Sequence, residues 1–408
     1  MSTTIAIEKK TTFWVVIILG SLTAFGPLCM DLYLPALPMV ANDLHTSTSV
    51  TQFSMTACFI GLAIGQMFFG PLSDLSGRKK PLISALILFT LVSFLCGLTS
   101  SIIIHLILRF MQGFTGAAGI VIAKAAARDL YSGKELTKFM TILGLVNGIA
   151  PIAAPLLGGF LLAIGDWHFI FYTLSLGGTL LLIGVLWQLP ETLHLQERTS
   201  GNFFTPFKAF PIIIKDKEFM GYSLTQSFIL TSMFGYIAAS PFVLQKMYGL
   251  TPQWFSASFA LNGLGIVLMT QLTGRLVGKY DERTIFKFGV WQAMIGCLLL
   301  LLVAIFKWPL VMILLGFFIT VSSVGLVGPT GFSLGMQNQG QHAGSASAML
   351  GLIPFVGGSI VSPLVGIAGE YTALPMAIVM FVCALLALVI NSTKIKSESN
   401  KKKNTAAA

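Results

Sequence analysis

Long apolar runs follow one another along almost the whole of this chain of 408 residues, and they constrain its fold more than any other feature. A helix that crosses a bilayer needs about 20 mostly apolar residues, because the hydrocarbon core is about 30 Å thick. Each run is long enough for one crossing, and most of the polar connections between runs are short. The predicted spans, numbered 1 to 12, cover residues 13–36, 49–71, 81–99, 101–124, 136–163, 167–189, 220–244, 254–277, 285–306, 308–330, 342–367 and 371–392.

Charged residues are too rare for a soluble domain, since 10% of the chain is charged and 55% is hydrophobic. Span 1 resembles the apolar part of a signal peptide, but it is long, lacks a small-residue cleavage site and is followed by further spans. We therefore predict an all-α integral membrane protein with twelve transmembrane helices.

Basic residues lie mainly on one side of the predicted membrane. If the N-terminus is cytoplasmic, all 25 Lys and Arg residues except Lys246, Lys307 and Arg109 fall at the cytoplasmic side. Positive residues are retained on that side during insertion, so we predict that both termini are cytoplasmic. This topology accounts for the net charge of +10 without nucleic acid as a partner, and no basic surface with interleaved aromatic residues is evident.

The sequence indicates no cofactor and no metal. The five cysteines lie in separate apolar spans without CxxC spacing, and the five histidines form no HExxH pattern, so we interpret the cysteines as packing residues. The segment closest to a phosphate-binding loop, GRLVGKY at 274–280, has the wrong spacing and lacks the Ser or Thr. ATP is therefore not expected as the energy source.

The longest polar stretch between spans divides the chain near its middle. A repeated spacing supports two related halves, because Pro38 precedes Gly70 by 32 residues and Pro241 precedes Gly274 by 33. The predicted parts are an N-terminal six-helix half at 1–195, a cytoplasmic linker at 196–218, a C-terminal six-helix half at 219–393 and a disordered basic tail at 394–408.

Five segments resemble the motifs of one transporter family. They are GPLSDLSGRKK between spans 2 and 3, RFMQGFTGAAG in span 4, GIAPIAAPLLGG in span 5, MDLYLPALP in span 1 and PETL after span 6. Their order and spacing resemble the major facilitator superfamily, and most closely its Bcr/CflA group of proton-coupled drug-resistance exporters. The resemblance covers nearly the whole chain and implies two six-helix halves related by pseudo-two-fold symmetry.

The loop between spans 2 and 3 holds a predicted conformational latch. Gly70 and Gly77 permit a tight turn and close helix approach, while Asp74 and Arg78 are spaced for an ion pair across the turn. The resemblance implies that this loop latches the two halves in the outward-facing state, with Asp74 capping a helix of the second half and Arg128 as a further partner. The alternative is that the basic residues here only fix the topology.

Two charges inside the predicted membrane are the candidates for proton coupling. Asp31 lies about 27 Å along span 1 and Arg109 about 12 Å below the outer surface in span 4, so their depths are similar. We expect the guanidinium to reach the carboxylate. The hypothesis is that Asp31 takes up a proton outside and releases it inside, whereas the structural alternative is a static buried pair. A single acid fits one-proton exchange for a neutral or singly charged compound.

The span-5 motif is predicted to shape its helix. Pro151 and Pro155 break the backbone hydrogen-bond ladder and kink the helix, and Gly148, Gly158 and Gly159 allow close contact with a facing helix. The resemblance links this pattern to antiporters that export their substrates.

A substrate cavity between the halves is expected from the resemblance. Its candidate residues combine aromatic rings with neutral hydrogen-bonding groups, although each could instead face lipid or pack between helices. They are Tyr33, Phe59, Gln112, Asn147, Gln226, Phe234, Tyr236 and Asn262.

Three functions are open at this stage. The preferred one is export of small amphipathic drugs in exchange for protons, by alternating access, across a bacterial inner membrane. A proton-coupled nutrient or metabolite symporter of the same fold is the runner-up, and a membrane-embedded enzyme or a receptor is the third. An enzyme would need a nucleophile and a base, or a metal cluster, near one face, and no His pairs with a carboxylate at helical spacing in any span, so we predict that the chain is not an enzyme. The expected partners are a small-molecule drug, protons and membrane lipid, and we expect a monomer.

Overall fold

A computed structural model describes residues 2–131, 133–198, 210–339, 343–369 and 372–395 of the chain. Within those ranges every regular element is a helix. The chain forms two compact units, one of Met1–Thr46 with Ala57–Phe203 and the other of Ser47–Thr56 with Phe204–Ala408. The longer segment of the second unit begins at Phe204, within the range of the predicted linker. The predicted basic tail falls almost wholly outside the described residues.

The first unit is built mainly from seven helices and a 3₁₀ turn. The helices are α1 (Ser2–Asp31), α2 (Leu37–Asp43), α3 (Thr48–Ser76), α4 (Lys79–Cys96), α5 (Ile102–Leu130), α6 (Gly133–Ile164) and α7 (His168–Gln188). The 3₁₀ turn, Leu34–Ala36, joins α1 to α2. The first ten residues assigned to the second unit, Ser47–Thr56, include the start of α3.

The second unit holds the remaining helices. They are α8 (Phe210–Lys215), α9 (Lys217–Phe242), α10 (Pro252–Leu276), α11 (Glu282–Phe306), α12 (Leu310–Ser322), α13 (Val324–Met336), α14 (Ala343–Leu364) and α15 (Leu374–Ile390). A π-helical turn, Val243–Met247, extends α9.

The apolar helices agree with the twelve predicted spans. Eleven helical segments among the described residues are long and apolar enough to cross a membrane, and the shorter apolar segment Gly148–Ile164 forms the second half of α6. Two spans are interrupted, since span 1 runs on through a 3₁₀ turn to Asp43 and span 10 is divided at Ser323. The predicted all-α membrane fold is confirmed.

Glycines bring α3 and α5 into backbone contact. A Cβ atom on Gly61 would lie 2.1 Å from the Phe110 carbonyl oxygen, and one on Gly65 would lie 2.3 Å from the Phe114 carbonyl oxygen. Such distances are impossible for real side chains without backbone movement. Because lipid offers no hydrophobic drive for helices to associate, close van der Waals packing of this kind holds membrane helices together.

We predict that Gly61→Ala destabilises the protein, because the added methyl group would force α3 away from α5. Overpacking of a tight core costs about 1 to 3 kcal/mol. The melting temperature of the purified protein in detergent, followed by tryptophan fluorescence, should fall. Gly274→Ala in α10 is the matched control, since a Cβ there meets nothing within 4 Å. An equal effect of both substitutions would contradict this account of the packing.

Candidate functional site

The end of α1 leaves one backbone carbonyl available inside the first unit. In a continuing α-helix the N–H of Tyr33 would donate to the oxygen of Cys29, but here it donates to the oxygen of Met30 at 3.2 Å. The freed carbonyl oxygen of Cys29 accepts a hydrogen bond from Arg109 Nη1 at 3.2 Å. The break in the helix therefore supplies a partner for a buried cation.

Arg109 is completely buried, and it is held by polar groups and aromatic rings. Its Nη1 atom also donates to the Gln112 side-chain oxygen, and Gln112 in turn donates to Ser93 Oγ at 2.8 Å. The guanidinium carbon lies 4.7 Å from the centroid of the Tyr33 ring and 5.7 Å from that of Phe171. Desolvated cation–π contacts of this kind contribute about 2 kcal/mol.

His105 belongs to the same cluster, although the sequence analysis did not single it out. It is fully buried, its Nε2 atom lies 3.4 Å from the Tyr33 hydroxyl, and its ring makes an edge contact with Trp167 at 5.8 Å. His105 precedes Arg109 by four residues, so both side chains lie on one face of α5. The four-residue spacing between His105 and Arg109 is the sequence signal that could have identified His105 as part of the site.

Asp31 is buried, with 7% of its surface exposed, but it does not pair with Arg109. Among the described residues, no ion pair joins these two side chains, so the expected contact is absent from this structure. The Nε and Nη2 atoms of Arg109 have no hydrogen-bond partner in the described part of the chain. Similar depth did not ensure contact, because it does not fix the direction in which a side chain leaves its helix.

Two of the expected substrate residues meet in the second unit. Asn262 Nδ2 donates to the Tyr236 hydroxyl at 2.8 Å. The Tyr236 ring stacks on Phe259 at 5.4 Å and is tilted against Phe317 at 4.8 Å. These contacts fix both polar groups between α9 and α10, where the uncharged pair lies in an aromatic environment.

The other expected substrate residues are spread over the two units. Tyr33 and Gln112 belong to the Arg109 cluster described above. Phe59 is fully buried in α3, and Phe234 packs against Phe355 at 5.4 Å. Gln226 is buried with its Oε1 atom unpartnered among the described residues, whereas the side chain of Asn147 lies outside them.

The loop between α3 and α4 is organised around Arg78. Gly77 has a φ of 91°, and the buried Arg78 side chain pairs with Asp74 and donates to Ser73 Oγ at 2.9 Å. Its second acidic partner is Asp129, at 2.9 Å. A Cβ atom added to Gly70, at the start of the motif, would lie 3.5 Å from the Val121 side chain of α5, which is an ordinary contact, so the expected close helix approach does not require glycine at this position.

Arg128, expected as a further partner in the latch with Asp74, is exposed, and no ion pair of Arg128 occurs among the described residues. Its neighbour Asp129 contacts this loop through Arg78, because a buried guanidinium needs carboxylates around it.

Glu191, in the PETL segment, caps the N-terminus of α4. Its carboxylate accepts hydrogen bonds from the backbone N–H groups of Arg78 at 2.7 Å and Lys79 at 3.1 Å. Burial alone would raise the pKa of Glu191, but these N–H groups, that of Leu193 and the Arg198 charge together lower the pKa. The PETL motif drew attention to the segment that contains Glu191, but the structure was needed to show that this residue binds the start of α4.

The predicted antiporter motif lies within α6. Pro151 and Pro155 are inside the helix, between Gly148 and Gly159. A Cβ atom on Gly158 would lie 2.3 Å from the Leu32 carbonyl oxygen. The motif therefore lets α6 approach the end of α1 immediately beside Asp31.

These observations define a multi-pass membrane protein of the transporter class, with a buried cation held near a break in its first helix. The model of the Major Facilitator Superfamily matches residues 19–363, and the chain belongs to this family. Members of the superfamily are transporters, so the prediction that the chain is not an enzyme is confirmed.

Known relatives place the chain more narrowly. It is 43% identical to the uncharacterized MFS-type transporter YdgK of Bacillus subtilis, over 90% of this chain and 92% of the relative. It is 30% identical to a bicyclomycin resistance protein homolog of Haemophilus influenzae, over 96% and 99% of the two chains. The predicted resemblance to the Bcr/CflA group is therefore confirmed. A solved bacterial homolog of the human lysosomal transporter Spinster shares the fold, with a TM-score of 0.75 at 14% identity over 95% and 98% of the chains.

We predict that Glu191→Gln lowers the melting temperature near neutral pH, because a neutral amide caps α4 less well than a carboxylate. A group whose pKa is lowered by folding stabilises the protein above its unfolded pKa, about 4.3 for Glu. That contribution is lost as the pH falls through the lower pKa of the folded state.

Melting temperatures of both proteins across the acidic range would test this expectation. The difference between them should be largest above the ordinary carboxyl pKa and should shrink toward zero at the acidic end. Glu135→Gln, at an exposed acid in the first turn of α6, is the matched control. A difference that grows as the pH falls would contradict the capping role.

Proposed function

We propose that this protein exports small amphipathic drugs, neutral or singly charged, from the cytoplasm in exchange for protons by alternating access. The observation that carries the proposal is a buried carboxylic acid, Asp31, at the broken end of α1, next to the turn that binds the buried cation Arg109. The name of the Haemophilus relative, a bicyclomycin resistance protein homolog, supports the drug class. A neutral, aromatic environment around Tyr236 and Asn262 supports an amphipathic substrate.

Proton exchange follows from the chemistry of Asp31. Burial disfavours its charged form, so the acid holds a proton in an apolar setting. A nearby guanidinium or an opening to water favours the carboxylate and releases the proton. Arg109 supplies a fixed positive charge in the same unit, and two of its donor nitrogens, Nε and Nη2, have no hydrogen-bond partner among the described residues. Movement of the broken helix end toward or away from this charge would therefore change the proton affinity of Asp31.

The Arg109 cluster gives that movement a structural basis. The cation is anchored on α5 through Gln112, and it contacts the Cys29 carbonyl of α1 and the Tyr33 ring just after α1. Gly158 of the antiporter motif lets α6 contact the adjacent Leu32 backbone. A shift of the end of α1 would exchange the carbonyl of Cys29 for the carboxylate of Asp31 as the partner of Arg109.

The proposed location is a bacterial inner membrane, with both termini in the cytoplasm and the protein acting as a monomer. The distribution of Lys and Arg supports this orientation. A symporter for a nutrient is the competing function of the same fold. Counterflow of sugars or amino acids would favour the symporter. Uniform sensitivity of the expressing cells to a panel of antibiotics would also favour the symporter.

We predict that Asp31→Asn abolishes proton-driven export, because an amide cannot take up and release a proton. Expression of the natural protein in an exporter-deficient bacterium should raise resistance to at least one compound in a panel that includes bicyclomycin. In proteoliposomes, that compound should accumulate when a pH gradient is imposed. The variant should lower accumulation at least tenfold, to the level seen without a gradient.

Asp43→Asn is the matched control for this experiment. Asp43 accepts a hydrogen bond from Trp167 Nε1 at 2.9 Å, and an amide oxygen can still accept it. This variant should transport normally, and Asp31→Glu should retain coupling in part. Unchanged gradient-driven accumulation by Asp31→Asn would remove this acid from the proposal.

We also predict the orientation of two loops. A cysteine introduced at Ser100, between α4 and α5, should react with a membrane-impermeant maleimide in intact cells. A cysteine at Lys279, between α10 and α11, should react only after the cells are opened. Both positions are exposed, and the natural cysteines are all buried. The reverse pattern would place the termini outside.

A further inference from the structure

Gln112 is fully buried in α5, and each polar atom of its side-chain amide has a partner. Its Oε1 atom accepts a hydrogen bond from Arg109 Nη1, and its Nε2 atom donates to Ser93 Oγ of α4 at 2.8 Å. The sequence analysis placed Gln112 among the candidate substrate residues. An amide whose oxygen and nitrogen are both engaged inside the first unit has another task available, which is to hold the neighbouring cation.

Ser93 determines which end of the amide meets the cation. The two ends of a primary amide are alike in size but opposite in hydrogen bonding, since only the oxygen can accept a bond from a guanidinium. The Ser93 hydroxyl is also fully buried, and it binds the NH₂ end on the side of α4. The oxygen of Gln112 is thereby turned toward Arg109, which lies three residues earlier on the same helix.

The group that holds Arg109 in this contact is neutral. A glutamate would fit nearly the same space and would bind the guanidinium more strongly, because hydrogen bonds between ions are stronger than those of an amide. It would also neutralise Arg109, which takes part in no ion pair among the described residues. The amide instead fixes the position of the guanidinium and leaves its positive charge uncancelled.

The uncancelled charge lies beside the chain segment that carries Asp31. Asp31 stands in the chain between Cys29, whose carbonyl oxygen accepts a hydrogen bond from Arg109, and Tyr33, whose ring covers the guanidinium. A positive charge nearby favours the ionised form of a carboxyl group, whereas burial favours the neutral form. The charge at position 112 therefore bears on the proton affinity of Asp31.

We propose that Gln112, oriented by Ser93, is a positioning residue that holds Arg109 without neutralising it and so sets the pH at which Asp31 exchanges its proton. This role rests on the proposed function of Asp31 as the proton carrier. With a carboxylate at position 112, Arg109 would be neutralised and Asp31 would stay protonated up to a higher pH. Proton release into a cytoplasm near neutral pH would then be incomplete, and exchange would slow.

Other titratable side chains also interact electrostatically with Arg109. They come from α1 and the turn after it, from α3, from α4 and from α5 itself, and they include Cys29, Tyr33, Cys58, Cys96 and His105. All of them stay in place in the variants below. A difference between a variant and the natural protein therefore reports on the substituted position.

The test follows the carboxyl group of Asp31 directly, in the purified full-length protein in detergent. Infrared spectra recorded across a pH titration show the C=O stretching band of a protonated carboxylic acid, and the band of Asp31 is identified by its absence from Asp31→Asn. We expect Gln112→Glu to raise the midpoint of this band by about one pH unit or more, which is about a tenfold rise in proton affinity. The double variant with Asp31→Asn supplies the spectrum of the new glutamate for subtraction.

Gln292→Glu in α11 of the second unit is the matched control. The Gln292 amide also donates to a serine hydroxyl, Ser322 Oγ, at 2.8 Å, and its other printed partner is the carbonyl oxygen of Ile319 at 3.0 Å rather than an arginine. This variant should leave the midpoint of Asp31 unchanged. Gln112→Met, which nearly keeps the size of the side chain and adds no charge, should not raise the midpoint either. An unchanged midpoint in Gln112→Glu, or an equal rise in Gln112→Met, would overturn the proposal.

The orienting role of Ser93 has a separate test. Ser93→Ala should lower the melting temperature of the natural protein, because the NH₂ end of Gln112 loses its partner and can turn toward Arg109. In the Gln112→Glu background the same substitution should cost less, since either oxygen of a carboxylate can accept a bond from the guanidinium. A double-mutant cycle measures this coupling. Equal losses in the two backgrounds would overturn the assignment of Ser93.

Melting temperatures also show whether each variant is folded, and Gln112→Asp replaces Gln112→Glu if that variant is not. Transport in proteoliposomes separates the role of Gln112 from the proposed function. If Asp31→Asn abolishes gradient-driven exchange while the Asp31 band does not respond to Gln112→Glu, only the role of Gln112 fails. If Asp31→Asn transports normally, the proposed function fails, whereas the titration still decides whether Gln112 controls the proton affinity of Asp31.

Discussion

The burial of the Arg109 guanidinium is the constraint on which the candidate site depends. A charge in an apolar interior must be compensated by nearby groups, because neither water nor lipid can do so there. Here the compensation comes from an amide oxygen, a backbone carbonyl and the faces of two aromatic rings. None of these groups carries a full negative charge. Within the part of the chain that the structure describes, the cation is therefore held in place but is not neutralised, which leaves it able to attract a carboxylate that comes within reach.

The irregular end of α1 is explained by the same constraint. Inside a membrane every backbone group needs a partner, so a helix can break only where protein groups take over the released hydrogen bonds. Arg109 takes one of them by binding the Cys29 carbonyl. The aromatic rings of Tyr33 and Phe171 cover the guanidinium, while Gly158 lets α6 pack against the Leu32 backbone. A helix break and a buried cation, each costly alone, thus stabilise one another.

The sequence predicted more of the fold than of the candidate site. Apolar length alone indicated twelve spans, of which eleven correspond to helical segments long enough to cross a membrane and one to the shorter segment Gly148–Ile164, because each crossing must match the bilayer. Depth along a helix follows from residue number, and so does the angle between two side chains, which is about 200° for Cys29 and Asp31. The face that the helix presents to its neighbour does not follow from residue number. For this reason the sequence placed Asp31 at the depth of Arg109 but wrongly assumed their contact. The ion pair between Arg78 and Asp129 depends on the packing of separate helices, which no local pattern records.

Contacts of His105 connect the surroundings of the buried cation to α7 and to the segment after α1. Its ring contacts Tyr33, Trp167 and Phe171, and Trp167 donates a hydrogen bond to Asp43 at the end of α2. The chain between Asp31 and Asp43 is therefore fixed at both ends by groups that pack on one face of α5. If the end of α1 moves when Asp31 changes its charge, the short segment between these anchors must take up the motion. The 3₁₀ turn Leu34–Ala36 is the irregular element available for it, since it lies between the two anchors and its residues are already outside the α-helical ladder.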